Sequence, residues 1–302
     1  MQLNHADRTT LSIDLCETHN FNWLESNFGR IFSVFDQQDS GNISFGCIRS
    51  NSERIFVKYA GARPSSFDGL PSDAVTRLHR AVTVYQDIQP HEHLLAMQMA
   101  FSVEETGGFV LVFPWINRAE CLHSHWIYPP PAKYEHPQSP YYRFRQLPLE
   151  QRLIALQAIF SFLEHVDILD YVAIDFYDGS ILYDFDLNTL KICDIDLYEK
   201  IPCRPAQPPW GSPRYLSPEE LSGDTLLDHR TNVFRMGACA FGLIGGELDR
   251  SRLKWDASDS LYQIACRAIA DHPKDRYTNA TEFLYEWHQA RKTLNANSQS
   301  KQ

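Results

Sequence analysis

The sequence predicts an α+β fold of two lobes, a small antiparallel β lobe first and a larger, mainly helical lobe after it. Three observations carry this. Strand-like runs crowd residues 30–115; helical periodicity dominates residues 149–292; and a short hairpin between residues 181 and 193 is flanked by two acids, Asp175 and Asp194. A chain of 302 residues is long enough for one large domain or two lobes with a substantial core.

The elements follow in order. Residues 30–35 (RIFSVF), 45–49 (FGCIR) and 54–59 (RIFVKY) read as strands, with turn residues at 39–42 and 49–53 between them. Ser72 is placed to cap a helix over 72–88, with Leu78, Val82 and Tyr85 on one face. Residues 93–103 and 109–115 form a further antiparallel pair across Glu104-Glu105-Thr106-Gly107-Gly108. Five strands and one helix make the first lobe. Residues 117–148, rich in proline and aromatics and without periodicity, read as a lobe-connecting insertion. Leu149, Leu153, Leu156, Phe160 and Leu163 then recur at helical spacing over 149–166. Residues 202–213 are a proline-rich loop leading into a short helix. Residues 232–245 are apolar nearly all round, the mark of a helix at the centre of a helical lobe. An amphipathic helix over 278–292 turns Phe283, Leu284 and Trp287 inward, and the polar tail follows. The division is therefore an N-terminal extension (1–27), first lobe (28–116), insertion (117–148), second lobe (149–294) and flexible tail (295–302).

Composition narrows the function. A net charge of -10 lacks the basic footprint that nucleic acid or an anionic membrane surface requires. The seven cysteines are scattered, odd in number and without a Cys-x-x-Cys pair, which fits reduced thiols in a cytoplasmic protein. The N-terminus has no signal pattern, and the longest apolar run, near 236–245, is too short to span a bilayer. His123 with His125, and His91 with His93, have no acid or cysteine at metal-ligand spacing.

The hairpin reads either as two strands with solvated acids at their ends or as the seat of the chemistry. Residues 181–185 and 190–193 are apolar runs joined by Asp186-Leu187-Asn188-Thr189, so their outer ends come together and bring Asp175 and Asp194 toward one place. Phosphoryl transfer needs that layout: one acid to orient a hydroxyl, another to hold a metal on nucleotide phosphates. In the first lobe, Gly41 and Gly46 with Ile48 beyond them read either as a plain hairpin or as a flap whose bare N–H groups approach phosphate. Lys58 shares the strand face of Phe56, opposite Ile55, Val57 and Tyr59, and points either to solvent or to phosphate oxygens.

In this order the parts resemble the protein kinase fold over roughly residues 28–290. Gly41 and Gly46, with Phe45 and Ile48, resemble the glycine-rich loop, with Ile43 where its middle glycine belongs. Lys58 in Phe-Val-Lys-Tyr matches the phosphate-contacting strand lysine, Asp175 the catalytic-loop aspartate, and Asp194 in Cys-Asp-Ile-Asp the metal-binding aspartate. Residues 211–219 (GSPRYLSPE) are similar to the segment that ends the activation loop, and Arg276 to the late arginine that pairs with its glutamate, which implies a buried Glu219–Arg276 pair. The last two motifs separate the chain from small-molecule kinases of the aminoglycoside type. The resemblance also implies ATP and Mg2+ as cofactors. Gly41, Gly46, Ile48, Lys58, Phe113 and Trp115 would lie on the nucleotide, and Asp194, Ser180 and Asp196 on metal.

Several positions depart from the family pattern. Ala173-Ile174-Asp175 stands for His-Arg-Asp, so a phosphorylated activation loop loses its usual anchor. Tyr177 replaces a lysine, Ser180 the asparagine on the second metal, Asp196 the glycine of Asp-Phe-Gly, and Asn232 the aspartate that braces the catalytic loop. Ala81 aligns with the helix glutamate that pairs with the lysine. Asp196 or Asp178 is the expected source of the missing metal oxygen. The expected function is an ATP-dependent phosphotransferase acting on a hydroxyl of protein Ser/Thr or, second, of a small molecule. The alternative is a pseudokinase, a non-catalytic module that senses nucleotide or binds protein partners.

Overall fold

Alternating apolar residues in the first third of the chain and 3.6-residue periodicity in the rest produce an antiparallel sheet followed by a mostly helical region, an α+β architecture. The computed structural model describes residues 2–4, 10–123 and 126–299. The chain divides into two units, Met1–Pro90 with Leu95–Asn117, and His91–Leu94 with Arg118–Gln302.

The first unit opens with the paired strands β1 (Gln2–Asn4) and β2 (Thr10–Ser12) and the helix α1 (Asn22–Phe28). A five-stranded antiparallel sheet follows, built from β3 (Arg30–Phe35), β4 (Asn42–Ile48), β5 (Arg54–Ala60), β6 (Met99–Val103) and β7 (Gly108–Pro114) in the order β3-β4-β5-β7-β6. Its register sorts the two faces. Ile43, Phe45 and Cys47 of β4, and Ile55, Val57 and Tyr59 of β5, join Phe21, Trp23, Leu24 and Phe28 in one buried cluster. Each such side chain withdrawn from water stabilises the fold by roughly 1.5–3 kcal/mol. Ile13, Phe21, Trp23 and Leu24, within the expected N-terminal extension, are thus part of this core. The opposite face meets α2 (Pro71–Ile88), where Tyr85 packs on Phe113 at 5.1 Å. Proline at the first turn starts α2 after Leu70, and the expected cap Ser72 lies inside the helix. The strand expected over 93–103 is shorter, only β6.

The second unit begins with β8 (Ala119–Cys121), α3 (Ala132–Glu135) and α4 (Pro140–Gln146). One short strand and two helices thus form within the stretch expected as a connecting insertion. Ser139 caps α4 by accepting from the Tyr142 N–H, Pro140 sets its first turn, and the Tyr141 hydroxyl donates to the Gly242 carbonyl at 2.6 Å. Next come α5 (Leu149–Ile168), β9 (Tyr171–Val172), and the hairpin of β10 (Ile181–Asp184) and β11 (Thr189–Ile192), which β8 extends to three strands. β12 (Glu199–Lys200) pairs with β9. The helices α6 (Pro218–Ser222), α7 (His229–Ile244), α8 (Asp259–Ala268) and α9 (Ala280–Gln299) complete the unit.

As its apolar circumference requires, α7 is buried from Thr231 to Ile244 and contacts α4, α5, α8 and α9. Phe160 of α5 meets Phe283 and Trp287 of α9 edge-on at 5.1 Å each. α9 continues to Gln299, well into the stretch expected as a flexible tail. The cysteines are free thiols, with Cys47, Cys203 and Cys239 buried. Among the described residues no helix is long and apolar enough to cross a membrane.

Candidate active site

The loop between β9 and β10 is held by a hub beneath it. The Asn232 side chain, buried in α7, accepts from the Ala173 N–H at 2.9 Å and donates to the Tyr171 carbonyl and to Asp167 Oδ1, both at 2.7 Å. Asp167 Oδ2 accepts from the Ala280 N–H at 3.0 Å, and His229 Nδ1 lies 3.1 Å from Oδ1. The amide at 232 serves as the brace because it supplies both acceptor and donor, with Asp167 accepting from one of its N–H groups.

Two residues beyond this brace, Asp175 has φ 62°, and Asp194, two past the end of β11, has φ 60°. Both sit in the left-handed region, which aspartate enters more readily than most residues at a cost of about 1 kcal/mol. The hairpin joins them. β10 and β11 pair Ile181 with Ile192, the Cys193 N–H donates to the Ser180 carbonyl at 2.9 Å, and Ser180 Oγ donates to the Asp175 carbonyl at 3.4 Å. At the far end the Asp184 carboxylate accepts from the Asp186 and Leu187 N–H groups and closes the turn. The acids act on shared neighbours. Burial, and after it the charges of Asp175 and Asp194, hold the Tyr177 phenol well above its ordinary pKa. Tyr198, buried beside α7, is raised by burial first and feels both carboxylates too. Asp175 and Asp194 thus share one neighbourhood in the second unit.

The metal donors expected from sequence separate. Ser180 is 1% exposed and its hydroxyl serves the loop. Asp178 does not supply a metal oxygen. It is wholly buried, and Lys133 Nζ at 2.7 Å, Arg214 Nη1 and Nη2 at 2.9 Å each, and His123 Nδ1 at 3.3 Å surround it. Burial alone would raise the Asp178 carboxyl; the His123 hydrogen bond and the Lys133 and Arg214 charges outweigh it and hold the group far below the usual carboxylate range. Glu247 completes this cluster through Lys133 at 2.8 Å, Arg214 at 2.6 Å and the Tyr134 hydroxyl at 2.6 Å. Sequence reasoning missed it, since its members are spread from residue 123 to residue 247. The signal available was Lys133 and Arg214 as lone cations in otherwise apolar, aromatic stretches. Asp194 and Asp196 remain as hard oxygen donors, the chemistry magnesium selects. His123 belongs to the ion cluster, and His125 lies outside the described residues. Neither His123 nor the His91–His93 pair enters a group of three or more His, Cys, Asp or Glu side chains fit for a metal among the described residues.

In the first unit, Lys58 is 6% exposed on β5, paired across the ladder with Ser44 and Leu111 on the face it shares with Phe56. Asn42 Oδ1 and Ser44 Oγ, on β4 beside it, are buried and have no hydrogen-bond partner among the described residues. Polar oxygens left in this state fit a site completed by a ligand. Of the two readings of Gly41 and Gly46, the structure forms the plain hairpin, with β3 and β4 paired antiparallel. Gly46 lies in mid-strand, its N–H and C=O in the ladder region between β3 and β5, and the Phe32 ring covers it. Ile48 ends the same strand. The turn between β3 and β4 is residues 36–41, and there Gly41 has φ +78°. Trp115 packs on Phe32 at 4.8 Å and lies 6.4 Å from Phe35 and Phe56, while Phe113 is buried against Tyr85.

The segment ending in α6 is fixed by two buried ion pairs. Arg276 forks onto Glu219 at 2.7 and 2.8 Å, as the sequence implied, and Thr231 Oγ1 donates to the same carboxylate at 2.9 Å. The second pair, Arg235 with Glu220 at 2.5 Å, was not anticipated; Glu220 also accepts from the Ser217 N–H and hydroxyl in a capping box. No protein-family model matches the chain, and a search of curated proteins finds no match.

Proposed function

We propose that the chain is an ATP-dependent phosphotransferase that moves a γ-phosphoryl group to a hydroxyl acceptor, with protein Ser/Thr the first candidate and a small hydroxyl compound the second. One observation carries the reading: Asp175 and Asp194 hold left-handed backbone at the linked ends of one loop and one hairpin, and both press on Tyr177. Strained acids brought together are the expected mark of a reaction site. Asp175 would accept a hydrogen bond from the acceptor hydroxyl and orient its oxygen. Asp194, with Asp196, would hold magnesium, which when bound neutralises charge on the phosphates. Within the first unit, Lys58 with Ser44 and Asn42 beside it would be polar contacts for phosphate oxygens, and Phe56 and Trp115 would be ring faces for a base. The raised Tyr177 phenol keeps its proton and can donate to an anion.

A second reading, a non-catalytic module, is favoured by the turn at 36–41. It carries Asp36 and Asp39, acids that repel phosphate, and Asp36 already accepts from the Asp14 N–H at 2.7 Å. Transfer of label from γ-labelled ATP to lysate proteins and metabolites separates the two. The phosphotransferase reading expects transfer by the wild type and loss of at least about a hundredfold in Asp175→Asn and Asp194→Ala. Equal transfer in all three proteins would sink it. A thermal shift with ATP and magnesium but no transfer would support the second reading.

A further inference from the structure

Residues 202–216 meet the loop 173–180 through an apolar contact and an ionic one, beside a Tyr177–Tyr215 ring contact at 6.4 Å. The first contact is apolar. Ile174, where an arginine would anchor a modified segment, lies in a buried cluster with Val172, Cys203 and Leu227, against which Trp210 and Ile201 pack. Cys203 and Leu227 exchange backbone hydrogen bonds at 3.4 and 2.8 Å. The second contact is ionic. Arg214 lays both terminal nitrogens on the Asp178 carboxylate at 2.9 Å each, reaches Glu247 at 2.6 Å, and turns Nε to Ser212 Oγ at 3.0 Å. Lys133 closes the ring between the two acids. Two carboxylates and two cations balance, so the burial of each is compensated.

Between these contacts Gly211 passes Asp175. Its φ is +112°, and a Cβ there would lie 3.0 Å from Asp175 Oδ1. The spacing makes the two contacts act on one point: Arg214 is three residues after Gly211, Asp178 three after Asp175, and Trp210 immediately before Gly211. A planar fork fixes direction as well as distance, which a single ammonium cannot do.

We propose that Arg214 and Trp210 are positioning residues that dock the 202–216 segment against Asp175 in the unmodified chain, so that the segment needs no phosphorylation to be ordered. The docking stands on geometry alone; only its consequence for acceptor binding rests on the phosphotransferase reading. A segment held this way presents a fixed surface beside Asp175, and loosening it weakens acceptor binding more than nucleotide binding.

Hydrogen exchange read by mass spectrometry on the full chain tests this, with acceptor KM and kcat measured alongside. Phosphatase treatment of the wild type is expected to leave exchange across 202–216 unchanged. Arg214→Met is expected to speed exchange there about tenfold while peptides of α7 stay protected. Arg214→Lys keeps the charge without the fork and is expected to fall between the two; it also carries the test if Arg214→Met does not fold. Trp210→Ala probes the apolar contact in the same way. Loss of protection on phosphatase treatment would overturn the proposal, as would wild-type exchange in both Arg214→Lys and Trp210→Ala. The exchange readout needs no turnover. An inactive wild type with Arg214-dependent protection sinks the enzyme reading alone, and transfer activity with Arg214-independent protection sinks the docking alone.

Discussion

At the scale of single residues, the backbone at 175 and 194 makes a claim separable from catalysis. A left-handed φ is cheap for glycine and costly for alanine. Asp194→Gly is therefore expected to unfold at higher urea than Asp194→Ala, by about 1 kcal/mol, although both lack the carboxylate. Equal stability of the two variants would mean that the φ of 60° is not held in solution. The same strain explains why this part of the site was only half legible in sequence. Hairpin alternation placed the acids at neighbouring ends, but periodicity carries no information on φ. It could not show that Ser180 spends its hydroxyl on the Asp175 carbonyl, or that Asp178 turns inward to Lys133 and Arg214.

Among the elements, α6 depends most on a distant partner. Glu219 is buried, and burial alone would raise its carboxyl; the Arg276 hydrogen bonds and charge hold it below its ordinary value. Arg276→Met strands that carboxylate and is expected to cost roughly 3–5 kcal/mol of unfolding free energy, whereas Arg276→Met with Glu219→Leu recovers most of it. Urea denaturation of the three proteins checks this; an additive double variant would refute it. Elements with strong local periodicity were readable: β3 matches its expected bounds, and α5 and α7 come within a few residues. Those specified by tertiary contacts were not. α1 is short and uncapped by a side chain, α8 has modest length, and α3 and α4 form in a proline-rich stretch because Lys133 and Tyr141 have buried partners waiting for them. Spacing alone left Gly41 and Gly46 open between a hairpin and a flap, and strand pairing on both sides of 42–48, which no local pattern encodes, places the second glycine in the ladder.

For the molecule as a whole, acid should unfold the chain in two stages. Burial, followed by the charges of His165 and His93, pushes the His91 pKa down to about 4, from the ordinary 6.5 of a histidine. A depressed folded value means the unfolded chain binds the proton first, so this stability is present above about pH 6.5 and drains as pH falls toward 4. Asp178, Glu219 and Glu247 are also held low by their cationic partners, against burial. Their contribution is intact above their ordinary values near pH 4 and is lost below them. The urea midpoint is therefore expected to fall between pH 7 and 5, and then more steeply below pH 4. His19, His93 and His288 are lowered by burial as well, so His91→Gln should lessen the first fall rather than remove it, and leave the second. A midpoint unchanged from pH 7 to 5 in the wild type would contradict the His91 assignment.

The amide at position 232 has a consequence for how this chain can change over generations. Its Nδ2 feeds two acceptors, the Tyr171 carbonyl and Asp167, while its oxygen takes the Ala173 N–H. An aspartate there would set a bare oxygen against those same two acceptors, so a lone Asn232→Asp step is a dead end unless position 167 gives up its charge as well. Sites 167 and 232 should drift only as a couple, and any lineage carrying an acid at one ought to carry a neutral partner at the other.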